Sequence, residues 1–140
     1  MTTRGDDKFE IRLKNSGGVP ILQLGGTITK TAFAAIRFTL EKLASAGHYH
    51  VVLNLERANV PNWHIFDGLA GAVRNIKSHY GSVDMVVTRD RLQQLSGMDQ
   101  LARLFRFCAS EGQAISRIKG LLRQPDGNTE TNARILEKPR

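Results

Sequence analysis

The chain predicts an α/β fold, a mixed β-sheet of about five strands with helices packed mainly on one face. Three observations predict it. Strand-like runs alternate with helical periodicity from residue 9 to residue 122, the pattern of helices layered on a sheet. The first two runs are joined by a turn signal alone, Asn15-Ser16-Gly17-Gly18, whereas helical stretches separate the later ones, so hairpin and crossover pairings coexist. The run Val51-Val52-Leu53-Asn54-Leu55 is nearly continuous in apolar character, as in a central strand covered on both faces.

Each element has its own signal. Phe9, Ile11 and Leu13 alternate with charged residues, the period of a half-buried strand. Val19 to Leu24 is its hairpin partner, with donor-less Pro20 at a strand start or bulge and Gly25-Gly26 ending the strand. Phe33, Ile36, Leu40 and Leu43 line one face of a helix, with Thr29 or Thr31 as N-cap and Gly47 as stop. After the Val51–Leu55 strand and a loop, Phe66, Leu69, Val73, Ile76 and Tyr80 line a second helix, closed by Gly81. Residues 83–87 form another buried strand. Asp90 caps a short helix over 90–95, broken by Ser96-Gly97; one more turn at 98–102 precedes a strand at Leu104–Cys108. Ser110 and Gln113 make a capping signal for a last helix with Ala114, Ile115, Ile118, Leu121 and Leu122 on one side. Residues 1–8 read as a flexible leader, 9–122 as the domain, and 123–140, rich in Pro, Gly, Asn and Thr, as a disordered tail.

Composition narrows the function. Hydrophobic residues make up 41% and charged residues 24%, enough apolar content for a single core. No apolar run approaches the ~20 residues that cross a bilayer, and the polar start shows no signal-peptide core; with one cysteine, Cys108, and hence no internal disulfide, a cytoplasmic setting is expected. Cys108 sits in a strand-like run and reads as a small buried hydrophobe. The net charge of +7 admits nucleic acid, but four acids are interspersed among the eight basic residues between Arg74 and Lys119, and no helix carries a continuous basic face. A solvated surface is the better reading and nucleic-acid binding the weaker one. No phosphate cradle, hydrolase elbow or metal-ligand spacing occurs; His48 and His50 share a face but lack a third ligand and read as a solvated strand edge. Neither catalysis, nor a cofactor, nor a metal is expected.

The segment that leads into the second helix, Asn59-Val60-Pro61-Asn62-Trp63-His64-Ile65-Phe66, resembles the centre of the STAS domain (sulfate transporter and anti-sigma factor antagonist). Asn54-Leu55 matches the Asp-Leu that ends the family's strand. Asn62-Trp63-His64-Ile65 stands where the family has Asp-Ser-Ser-Gly, one serine of which a partner kinase phosphorylates. Leu24-Gly25-Gly26-Thr27-Ile28, the stretch from Leu92 to Phe107, and Ser110-Glu111-Gly112-Gln113-Ala114 carry the resemblance across residues 9 to 122. It implies a STAS-like fold and a non-catalytic protein-interaction module of a bacterial signalling pathway, anti-sigma-factor-antagonist-like, with His64 at the degenerate phosphosite position. The implied partner is an anti-sigma factor of the serine-kinase kind; the alternative is an accessory subunit of a lipid or ion transporter that binds a transporter ATPase. Oligomeric state is left open, a homodimer included.

The expected partner-binding residues are Asn59, Asn62, Trp63, His64 and Phe66 of the loop, with Arg74 and Lys77 on the helix behind it. Trp63 reads equally as an interface anchor and as packing against Phe66 or Pro61. Asn59 and Asn62 are turn and N-cap residues first. A three-residue insertion would align Gly68-Leu69 with the motif's Gly-Leu and put Asp67 at the serine; the spacing to Gly81 speaks against it.

Overall fold

The structure, a computed structural model, describes residues 8–123; most of the expected leader and tail lies outside the described residues. Strands β1 (Glu10–Ser16), β2 (Val19–Thr27), β3 (His50–Asn59), β4 (Ser82–Val86) and β5 (Arg106–Cys108) lie side by side in sequence order. β1 and β2 are antiparallel and the remaining neighbours parallel, so the sheet is mixed. The helices are α1 (Lys30–Ser45), α2 (Ala70–Ser78), α3 (Arg89–Ser96), α4 (Asp99–Leu104) and α5 (Glu111–Arg123), and a 3-10 segment (Trp63–Leu69) precedes α2.

Period-two alternation distributes the strand side chains between two cores. Val51, Leu53 and Leu55 of β3 with Val83 and Met85 of β4 join Ile36, Val73, Leu95 and Leu101 of α1 to α4. Val52 and Val86 face the other way, against Ala114 and Ile118 of α5. Four helices therefore cover one face and α5 the other, which is why β3 and β4 are apolar at nearly every position.

Local signals set the boundaries. Gly17 (φ 59°) and Gly18 (φ 92°) form the two-residue turn between Ser16 and Val19; both positive angles give the turn whose twist matches a hairpin. Thr29 Oγ1 accepts the Ala32 N–H at 3.2 Å to start α1. Gly47 (φ 90°) ends it, with its N–H on the Ala44 carbonyl and that of His48 on Leu43. Ser110 Oγ accepts from the Gln113 N–H, and the Gln113 side chain accepts from the Ala109 N–H, so α5 opens with the expected cap.

Several expectations are corrected. Gly25-Gly26 does not end β2, which runs to Thr27; the register shifts after Gln23, and a Cβ on Gly26 (φ 80°) would collide with the Lys8 carbonyl. β3 extends past Leu55 to Asn59, shortening the loop. β1 is exposed rather than half-buried, because it is an edge strand. Thr88, not Asp90, occupies the N-cap position of α3, and Asp90 lies in its first turn. β5 keeps only residues 106–108 of the expected strand, since α4 runs to Leu104. Leu121 and Leu122 are exposed beyond the end of the α5 core contact. Tyr80 does not line the core: it is 93% exposed with φ 63°. It takes the left-handed position after α2 that glycine would fill without strain. Gly81 is required for space instead, since a Cβ there would collide with the Tyr49 carbonyl oxygen.

Candidate functional site

The passage from β3 to α2 is short and tightly bonded. Asn59 is the last residue of β3, with its carbonyl accepting from Ile28 N–H at 2.9 Å and its side chain reaching Thr27. Val60 is buried and Pro61 exposed. Asn62 caps the 3-10 segment, its side-chain oxygen accepting the His64 N–H at 3.0 Å and its carbonyl the Ile65 N–H at 3.1 Å. The turn's surface therefore consists of Asn59, Pro61, Asn62 and His64. His64 Nδ1 lies 3.5 Å from Asp67 Oδ2, while the other Asp67 oxygen is buried without a partner among the described residues.

Two of the expected contact residues point inward. Trp63 is 6% exposed, with its ring tilted against Phe66 at 5.7 Å and the Arg91 guanidinium of α3 over the indole at 5.5 Å. Phe66 is fully buried, edge-on to Phe33 (6.0 Å) and Phe105 (6.4 Å). These aromatics fix the turn's shape and are not available as contacts in this conformation. The segment is apolar at Trp63, Phe66 and Leu69, spacing that a three-residue period buries on one side. Arg74 and Lys77 are exposed on α2, behind the turn. Lys77 donates to the Arg103 carbonyl near the end of α4, so its ammonium ties two helices together.

The second helix, expected to run from Phe66 to Tyr80, in fact opens as an α-helix only at Ala70, behind the 3-10 segment, and closes at Ser78. No single helix therefore runs from the turn to Gly81, and the spacing to Gly81 does not exclude the three-residue insertion. Gly68 also packs closely: a Cβ there would meet the Phe33 ring at 2.9 Å.

The α5 face holds two polar networks that the charge count treated as surface. Asp84, fully buried on β4, accepts Arg117 Nε–H at 3.1 Å, a second Arg117 nitrogen, and the Ser82 hydroxyl at 3.2 Å. Arg117 also reaches Ser82 Oγ at 3.3 Å, and His50 Nδ1 lies 3.2 Å from the same oxygen. Since the Ser82 proton is spent on Asp84, His50 must donate through Nδ1–H. It therefore cannot take that proton as a hydrolase base would, and the Ser82, His50 and Asp84 set anchors α5 rather than activating a nucleophile. His50 is thus not the solvated edge residue that its spacing from His48 suggested. Glu111 of α5 heads the second network and accepts from Lys14 (3.2 Å), Gln23 (2.8 Å) and Asn54 (2.7 Å). Burial would raise its pKa, but these donors bring it below the ordinary 4.5. Asn54 Oδ1 also accepts the Glu56 N–H at 2.9 Å, where the β2–β3 register shifts. One signal could have disclosed the first network: a lone carboxylate in an otherwise apolar strand needs a buried partner.

Burial lowers the His50 pKa below 6.5, an effect that Asp84 opposes and Arg117 reinforces. Between 6.5 and the lowered value the unfolded chain binds more protons than the folded one. His50 therefore contributes stability that is complete above 6.5 and is lost as pH falls through that window. Urea midpoints measured down through this range should decline in the wild type, and His50→Gln should remove that component of the slope. An identical slope in the variant would exclude His50 as its source. Burial also raises the Cys108 thiol to about 11, which keeps it protonated and inert.

No protein-family model and no curated protein matches the chain. Solved structures do. It is similar to SpoIIAA, an anti-sigma factor antagonist, in its unphosphorylated form (18% identity, TM-score 0.61, over 81% of this chain and 99% of that one). It is likewise similar to the Bacillus cell fate determinant SpoIIAA in the phosphorylated form (17%, 0.60, over 78% and 99%). A third similarity is to an anti-sigma factor antagonist from Mycobacterium paratuberculosis (13%, 0.56, over 81% and 96%). The fold is STAS-like, as the resemblance implied. Among the described residues no helix is long and apolar enough to cross a membrane.

Proposed function

We propose that this chain is a non-catalytic, cytoplasmic protein-interaction module of a bacterial signalling pathway, anti-sigma-factor-antagonist-like but without a phosphorylatable serine. The observation that carries the proposal is the turn before α2. In a fold shared with anti-sigma factor antagonists, it presents Asn59, Asn62 and His64 on an aromatic base, and residues 59–69 contain no hydroxyl side chain. Phosphorylation of a serine at such a turn adds about −1.5 to −2 charges, and this chain has no acceptor for it there. Its partner, an anti-sigma factor of the serine-kinase kind, is held constitutively or released by another signal.

The frame with Asp67 at the serine position is supported by one observation, the start of α2 at Ala70 directly behind Gly68-Leu69. In that frame a carboxylate occupies the switch permanently, beside His64, and the state mimicked is the phosphorylated one. Both frames make the same prediction. Incubation with such a kinase and ATP leaves residues 59–69 unmodified by mass spectrometry, under conditions that modify a serine-bearing antagonist. A phosphopeptide from this segment would contradict both.

A further inference from the structure

We propose that the free edge of β1 pairs with β1 of a second copy of this chain, antiparallel and centred on Arg12. β1 is one end of the sheet, and among the described residues nothing pairs with its outer edge. Its seven residues offer a longer template than the three of β5 at the other end. The apolar residues of β1 are also uncovered: Ile11 is 37% and Leu13 57% exposed, on the face where the rest of the sheet is buried under helices.

The sequence of the strand is self-complementary in this register. In an antiparallel pair, residues directly opposite share a face. Centring on Arg12 sets Ile11 opposite Leu13 twice, which covers all four exposed apolar side chains. It also sets Glu10 opposite Lys14 twice on the other face. Only Arg12 meets its own kind, with Glu10 and Lys14 of the second copy at its two diagonal positions. Moving the centre to Leu13 would place Arg12 opposite Lys14 twice and Ile11 opposite Asn15. Moving it to Ile11 leaves only residues 10–12 of β1 paired. Charged residues on an edge strand ordinarily prevent association; here their order opposes association in the neighbouring register and supports it in this one. The contact is small, so a weak, concentration-dependent dimer is expected.

Charge exchange on the full chain tests both the edge and the register. Glu10→Lys alone would set a lysine against Lys14 at both charged pairs. Lys14→Glu alone would set a glutamate against Glu10 at both. Each homodimer should weaken by about tenfold or more, because two opposite-charge pairs become like-charge pairs. An equimolar mixture of the two variants sets the lysines at positions 10 and 14 of one copy opposite the glutamates at positions 14 and 10 of the other, so the heterodimer regains two opposite-charge contacts and should form about as tightly as the wild-type homodimer. The double exchange Glu10→Lys, Lys14→Glu is a second rescue, because it reverses both pairs and restores two opposite-charge contacts within one homodimer. It should associate about as tightly as the wild type. Sedimentation equilibrium over a concentration series reads all three variants, with circular dichroism melts showing that each is folded. Lys14 also bonds Glu111, so where its replacement destabilises the chain, Glu10→Lys and Arg12→Thr carry the inference. Arg12→Thr removes the one like-charge pair in favour of a strand-forming side chain and should tighten the homodimer. A wild type that stays monomeric at millimolar concentration would overturn the proposal. So would a dimer indifferent to both Glu10→Lys and Arg12→Thr.

Discussion

Arg117→Met is expected to cost about 3–5 kcal/mol of folding free energy, since it strips the partner from a buried charge. Asp84 is fully buried, and its hydrogen bonds come from two Arg117 nitrogens and from the Ser82 hydroxyl that Arg117 also holds. Methionine approximates the apolar stem of arginine but supplies no donor, so the carboxylate must be protonated or hydrated at the expense of the α5 contact. The pair itself need not be favourable. Desolvating two charges offsets much of their attraction, and the double variant Asp84→Leu, Arg117→Met should recover most of the loss. Urea unfolding measures both, as a lowered midpoint at unchanged slope for the single variant and a restored one for the double. A single-variant loss under about 1 kcal/mol would mean that Asp84 is solvated.

Phe66→Ala carries the second large effect, also about 3–5 kcal/mol, the range for deleting a buried aromatic. The phenyl ring sits among Trp63 of its own segment, Phe33 of α1 and Phe105 ahead of β5. Its removal leaves a cavity that elements anchored elsewhere in the core cannot close. By contrast, Asn59→Ala with His64→Ala, which trims only exposed side chains, should stay within about 0.5 kcal/mol of the wild type. Thermal or urea unfolding of the two variants separates the frame of the turn from its surface; equal losses would mean that the surface residues are themselves structural.

The sheet and most helices are legible in the sequence because their signals are local. Gly17-Gly18, Thr29, Gly47 and the Ser110–Gln113 pair each set a boundary by one backbone angle or one hydrogen bond. The non-local features are less legible. Asp84 and Arg117 are 33 residues apart and meet only once α5 lies on the sheet. Tyr80 keeps helical spacing with Ile76 yet ends outside, because the chain leaves α2 through a left-handed turn. At the turn before α2, the apolar spacing of Trp63, Phe66 and Leu69 suits a 3-10 segment as well as an α-helix. Periodicity alone could not decide whether Trp63 faced a partner or the core, nor where α2 began. Asn59, Asn62 and His64 are plainly the turn's polar residues in sequence, and their exposure follows from the burial of their apolar neighbours.

The most direct test of the interaction-module reading is an affinity capture from the native host at moderate salt, comparing the wild type with the Asn59→Ala, His64→Ala variant. Both proteins should be equally folded, so a difference reports the surface of the turn. The account predicts that a protein of the anti-sigma or kinase kind is retained by the wild type and lost by the variant. Identical partners on both would contradict it, leaving the turn a structural joint between β3 and α2.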